Sequence, residues 1–104
     1  MMVLEAAGSG LTSGQVLELA DGAMLGRAER AELVLADAAV SAEHARVSQI
    51  GHDWVVLDLG STNGTVVNDA RVTGQTRLNH GDVLALGGVR FKVVLRSVAQ
   101  TAER

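Results

Sequence analysis

An all-β domain, built as a β-sandwich of two twisted and mostly antiparallel sheets, is the fold class predicted by three observations. Apolar runs are short and are broken at roughly eight- to twelve-residue intervals by turn-forming residues, the habit of sandwiches and barrels. Valine carries much of the apolar content, and β-branched side chains favour pleated strands. Proline is absent, so the twelve glycines supply most of the turns.

Taken in order, the elements number about ten or eleven short strands, the density expected of such a sandwich. Met2 to Ala7 reads as the first strand, and Gly8-Ser9-Gly10-Leu11-Thr12-Ser13-Gly14 as the loop after it. Gln15 to Leu19 is the second strand, closed by Ala20-Asp21-Gly22, whose Asp-Gly pair suits a tight turn. Ala23 to Arg27 and Leu33 to Leu35 follow, with Ala28 to Ala39 read as loop around the latter and room for one helical turn. His44 to Ile50 and Trp54 to Leu59 form a hairpin through Gly51-His52-Asp53. Val66-Val67, Val72-Thr73, Val83 to Leu86 and Val89 to Leu95 complete the set. In the last of these, Val89, Phe91, Val93 and Leu95 alternate with Arg90, Lys92 and Val94, so one face is expected in the core. Val55, Leu57 and Leu59 are expected to give a second inward face.

Composition bounds the function. The 104 residues allow one domain, residues 1–96, followed by a polar tail, residues 97–104. Hydrophobic residues at 47% and charged residues at 20% support a folded core. Nine basic against twelve acidic residues give a net charge of −3, which argues against a nucleic-acid or anionic-membrane binder. Trp54 and Phe91 are the sole aromatics, so stacking platforms for single-stranded nucleic acid are missing. With no cysteine, disulfide and thiolate-metal chemistry are excluded. No secretory h-region or long apolar run is present, so the expected location is cytoplasmic. The alanine- and valine-rich composition fits a bacterial source, and a monomer is assumed.

Three pieces of the chain carry chemistry: Gly26-Arg27, then Ser41-Ala42-Glu43-His44, then Asp58 to Thr65 with Asn68 after it. Each falls between predicted strands, where loops can converge from distant positions. Read alone, Arg27 is a solvated arginine, Ser41 a turn serine, and Asn63-Gly64 a tight hairpin turn. Ser41 with His44 would be the material for a nucleophile and base, and His44, His52 and His80 for a metal site. No nucleophile elbow and no ligand-like spacing accompany them. The Gly-rich stretch lacks the Gly-Lys-Ser/Thr and following helix of a nucleotide-phosphate loop.

In this order and spacing, the three pieces resemble the forkhead-associated domain, a β-sandwich that reads phosphothreonine in partner proteins. Leu78-Asn79-His80-Gly81-Asp82-Val83-Leu84 adds to the likeness, which runs from about Val3 to Leu95. The resemblance implies a phosphothreonine-dependent interaction module, not an enzyme, with no cofactor and no metal. Its implied partner is a phosphothreonine-containing protein in a Ser/Thr kinase pathway. Ligand loops at one end would hold the phosphopeptide through Arg27, Ser41, Thr62 and Asn63. A planar guanidinium and a hydroxyl suit a phosphate dianion, and Asn63 would hold the peptide main chain. Gly26, His44, Asp58, Ser61, Gly64, Thr65 and Asn68 would supply the pocket architecture, with His44 buried and fixing the serine loop.

Two departures mark this chain. Ala42 stands where many relatives have an arginine or asparagine, and Glu43 adds an acidic residue beside a site meant for an anion. Arg30, Arg46 or a backbone amide are the candidates to substitute. Ala38-Ala39-Val40, in the region that in relatives helps read side chains downstream of the phosphothreonine, offers no charge to select a charged one, so a small or apolar preference, or little selectivity, is expected. The alternative function is a phospho-independent docking or scaffold domain of the same fold.

Overall fold

The computed structural model describes residues 2–6 and 16–95. The loop at 8–14, the tail at 97–104, and the Ala7 and Gln15 ends of the first two strands lie outside the described residues. Within them, the chain forms β1 (Met2–Ala6), β2 (Val16–Leu19), β3 (Met24–Gly26), β4 (Leu33–Val34), β5 (Ala45–Ile50) and β6 (Asp53–Asp58). Then come β7 (Thr65–Val67), β8 (Ala70–Arg71), β9 (Gln75–Leu78), β10 (Val83–Leu86) and β11 (Val89–Leu95).

One sheet has the order β2-β1-β11-β10-β7-β8 and the other β4-β3-β5-β6-β9. Neighbouring strands pair antiparallel except β3 and β4, which are parallel over two residues. The sandwich is therefore the predicted one. Its core is filled from both sheets: Met2, Leu4, Leu84, Leu86, Phe91 and Val93 from one, Leu25, Val47, Trp54, Val56 and Leu78 from the other. Along β11, Val89, Phe91 and Val93 are buried while Arg90 and Lys92 are exposed, as the alternation requires.

Three expectations are corrected. The inward face of β6 is Trp54 and Val56, and Leu57 is 38% exposed. Trp54-Val55-Val56-Leu57 is apolar in both phases, so alternation cannot choose between them. Pairing with β5 does, by setting Trp54 opposite Gln49 and Val56 opposite the fully buried Val47, and a one-residue difference in register exchanges the two faces. Second, Val72-Thr73 is not a strand. β8 lies just before it, because Asn68 and Asp69 adopt φ of 50° and 68° and close a two-residue turn with Val67 opposite Ala70. Positive φ at both central residues marks a type I′ turn. Val72 still packs in the core, and its N–H donates to the Thr65 carbonyl at 2.8 Å. Third, Gln75–Leu78 is a strand that hydrophobicity does not reveal. It is the edge partner of β6 and buries only Leu78. The Gly51 hairpin is also tighter than expected, with Asp53 already in β6 opposite Ile50.

This topology positions the candidate site. β3 ends at Gly26 beside the start of β5, with Leu25 opposite Ala45, and Ala45 is opposite Asp58 at the end of β6. The segments carrying Arg27, Ser41 and residues 59–64 therefore leave the sheet at the same end.

The corrected face of β6 is testable by urea denaturation. Val56→Ala is expected to cost about 2–3 kcal/mol, from lost burial and a residual cavity, and Leu57→Ala less than about 1 kcal/mol. Equal losses would contradict the register.

Candidate functional site

His44 is fully buried and joins two of the three loops. The Ser41 N–H donates to its Nδ1 at 3.0 Å, and its Nε2 lies 2.9 Å from the Gly64 carbonyl oxygen. An Nδ1 that accepts requires the ring proton on Nε2, which then donates to Gly64. Both nitrogens thus face backbone groups and neither faces the Ser41 hydroxyl, which removes the base a serine nucleophile would need.

The third motif is folded around Asp58 at the end of β6. Asp58 Oδ2 accepts from the N–H groups of Gly60 and Ser61, each at 3.0 Å. Its Oδ1 accepts from the hydroxyls of Ser61 at 2.5 Å and Thr65 at 2.7 Å. Ser61 Oγ in turn accepts the Gly64 N–H at 2.9 Å. Asn63-Gly64 is thus part of a wider loop knotted on one carboxylate, not a tight hairpin turn. Partial burial works to raise the Asp58 pKa, but the Ser61 and Thr65 hydroxyls and the Ser61 and Gly60 amides outweigh it and hold the carboxyl below its ordinary value. Gly64 has φ of +86°, which favours glycine, and a Cβ there would sit 2.9 Å from the guanidinium carbon of Arg71, the movable end of an exposed side chain.

Arg27 and Ser41 are brought together by the backbone. The Arg27 N–H donates to the Ser41 carbonyl at 3.0 Å, and the Ala28 N–H to the Ala42 carbonyl at 3.1 Å. The approach is so close that a Cβ on Gly26 would fall 2.1 Å from the Ala42 carbonyl oxygen. This explains the Gly-Arg pair: glycine admits the neighbouring loop, and arginine stands at its edge. Arg27 Nε donates to the Val40 carbonyl at 2.9 Å, orienting an exposed guanidinium whose terminal nitrogens have no protein partner among the described residues. Ser41 Oγ accepts the Thr62 N–H at 3.0 Å, which leaves its own O–H as a donor. Asn63 Nδ2 donates to the Ala39 carbonyl at 2.8 Å, bridging the same two loops farther out. Arg27, Ser41, Thr62 and Asn63 therefore form one cluster of surface donors.

The remaining candidates divide. Glu43 is paired with Arg30, which donates to it from Nε at 2.9 Å and from Nη2. Its charge beside the cluster is thereby countered, and Arg30 is occupied. Arg46 is no substitute cation, since it donates to the Gly22 carbonyl at 2.7 Å, in the turn between β2 and β3, at the end of β3 opposite Gly26. Asn68 does not join the cluster. It donates from Nδ2 to Asp82 at 2.9 Å and accepts the Val83 N–H, so it fastens the β7–β8 turn to the start of β10. The histidines are dispersed: His52 is in the β5–β6 turn, and His80 accepts the Leu95 N–H at 3.1 Å. One residue at this end is invisible to motif reading: Arg71, whose guanidinium lies against Gly64. Its only sequence signal is the β7–β8 hairpin, which folds it back opposite Val66.

Comparison with known proteins bears on this geometry. Residues 8–97 match the family model of the inner membrane component of T3SS, cytoplasmic domain. The FHA domain-containing protein FhaB of Mycobacterium tuberculosis is 40% identical over 77 residues, covering 74% of this chain and 50% of FhaB. The chain thus spans about half the length of that relative. A solved structure from a structural and functional analysis of phosphothreonine-dependent FHA domain interactions superposes with a TM-score of 0.82 at 33% identity, covering 93% of this chain and 98% of that one. The FhaA FHA domain complexed with the intracellular domain of Rv3910 gives 0.79 at 34% identity, covering 89% and 99%.

Two measurements test the scaffold of the loops. His44→Ala strands the Ser41 N–H and the Gly64 carbonyl and opens a cavity, so chemical denaturation is expected to show a loss on the order of 2–5 kcal/mol. Asp58 has a lowered folded-state pKa, so its contribution is present above the ordinary aspartate range near pH 4 and is lost as pH falls through the folded value. Asp58→Asn is expected to be less stable than the parent at pH 7, the two curves converging below about pH 4. Parallel curves would contradict this. Glu32, which accepts the Met24 N–H and is also lowered, maintains a residual acid slope in both proteins.

Proposed function

This chain belongs to the forkhead-associated domain family, and also to the family of the T3SS inner-membrane component's cytoplasmic domain whose model it matches, and from that premise we propose that it is a phosphothreonine-dependent interaction module. The observation that carries this reading is the Arg27–Ser41–Thr62–Asn63 cluster, built from three loops tied together through Arg27 Nε, the Thr62 N–H and Asn63 Nδ2, in which the Arg27 terminal nitrogens and the Ser41 hydroxyl hydrogen have no acceptor among the described residues. A phosphate dianion offers the acceptors such a cluster lacks. Arg27 supplies the fixed charge, and Ser41 donates through the hydroxyl hydrogen that Thr62 leaves free. Thr62 lies beside the phosphate, and Asn63 reaches the ligand main chain.

The work of such a site is recognition. A kinase adds charge and acceptor oxygens to a partner, and the cluster converts that change into binding. The partner is a phosphothreonine-bearing segment in a Ser/Thr kinase pathway, met in the cytoplasm, and the domain acts as a monomer without cofactor. The relatives support the chemistry: EmbR of Mycobacterium tuberculosis was solved with a low-affinity phosphopeptide, and FhaA with an intracellular protein domain. A second reading, phospho-independent docking through the same loops, is favoured by one observation. Ala42 is exposed and brings no side-chain donor to the site.

Fluorescence anisotropy with a phosphothreonine peptide library, against phosphoserine and unphosphorylated versions, separates the two. Saturable binding is expected for the phosphothreonine set alone. Arg27→Ala and Ser41→Ala should each weaken it roughly 10- to 100-fold, the worth of a hydrogen bond to a charged group. Binding that ignores phosphorylation would establish the docking reading instead.

A further inference from the structure

The chain's charge at the ligand end does not stop at Arg27. Arg71 is contributed by β8, reaches back along the β7–β8 hairpin, and rests its guanidinium on Gly64, adjacent to Asn63. A Cβ built on Gly64 lies 2.9 Å from Arg71 Cζ, 3.0 Å from Nε and 3.1 Å from Nη2, so the planar group lies along the backbone of the loop where a side chain would otherwise stand. That contact limits the freedom of an exposed arginine, and a guanidinium already oriented loses less on binding than a free one.

Of the neighbouring charges, Arg30 is held by Glu43, Asp58 is saturated by its own loop, and Arg27, held through Nε by Val40, keeps its terminal nitrogens for the phosphate. Arg71 is exposed, and among the described residues no carboxylate and no carbonyl accepts from it. Its fork of donors therefore faces outward beside the segment that Asn63 occupies. The matching group is a planar carboxylate or a phosphate on whatever crosses that segment. Ala38-Ala39-Val40 offers no charge on the other side of Asn63, so with Arg27 given to the phosphate, Arg71 is the described cation placed to read an anionic flank there.

We propose that Arg71 is a specificity-determining residue, reading an acidic group, a carboxylate or a second phosphate, that flanks the phosphothreonine on the bound peptide. This rests on the phosphothreonine reading above. The test is competition anisotropy with phosphothreonine peptides in which one flanking position at a time is alanine, glutamate or phosphoserine.

The parent protein is expected to favour glutamate or phosphoserine over alanine at one flanking position by about two- to fivefold, the upper part of the range for an exposed ion pair. The glutamate and phosphoserine arms distinguish a carboxylate from a second phosphate as the group read. Arg71→Gln should abolish that preference while leaving the alanine-flanked peptide's affinity and the thermal midpoint unchanged, and Arg71→Glu should turn it into a preference for lysine. Phosphothreonine binding with no acidic preference at any flank, or a preference that survives Arg71→Gln, would overturn the proposal alone. So would loss of the alanine-flanked peptide in Arg71→Gln, because Arg71 would then belong to the phosphate site or the fold. Failure of the parent protein to bind any of the peptides would overturn the phosphothreonine reading, and this one with it.

Discussion

The arrangement of the ligand end depends on one buried imidazole. His44 accepts from the Ser41 backbone with one nitrogen and donates to the Gly64 backbone with the other. It thereby fixes two loops that are separated by a β-hairpin in the chain. The Gly64 carbonyl is buried and the Ser41 N–H partly so, so an apolar residue of similar size in place of the histidine would take away the partner of each. Once Ser41 and Gly64 are fixed, the Thr62 N–H meets Ser41 Oγ and Asn63 meets the Ala39 carbonyl. The histidine holds the loops of the candidate site together from within the core, without itself reaching the surface.

Around that pin the electrostatics follow a consistent division. Carboxylates near the cluster are turned inward or paired: Asp58 is surrounded by four donors of its own loop, and Glu43 is matched by Arg30. Donors are left facing out, on Arg27, Ser41 and Arg71. A chain with a net charge of −3 can in this way present a locally cationic end. Acidic residues do not contradict an anion site when their acceptor capacity is used internally, and composition alone cannot show whether it is.

Much of the fold was legible in the sequence because a sandwich strand with one wet face records its geometry as alternation, and β11 does so cleanly. The register of β6 was not legible, since an apolar run carries no phase and only pairing with β5 assigns it. β9 was hidden for the opposite reason. An edge strand burying a single leucine has little hydrophobic signature, and it exists because β6 offers it a ladder. Among the site residues, the Gly26-Arg27 and Ser41-to-His44 pieces were legible as short motifs. Asn68 looked like part of the same group by proximity in sequence, yet the three residues of β7 carry it away to the start of β10.

The sequence by itself determined the fold class and the family, and through that resemblance named Arg27, Ser41, Thr62 and Asn63 as candidates, because turn chemistry, strand alternation and motif spacing are properties of short stretches. Only the tertiary structure decided what those residues face. Whether Glu43 stands free or paired, whether Arg46 is free or tied to the Gly22 turn, and whether Arg71 lies by Gly64 all depend on contacts between strands distant in the chain. Such contacts follow from sheet order and register, which no local pattern encodes.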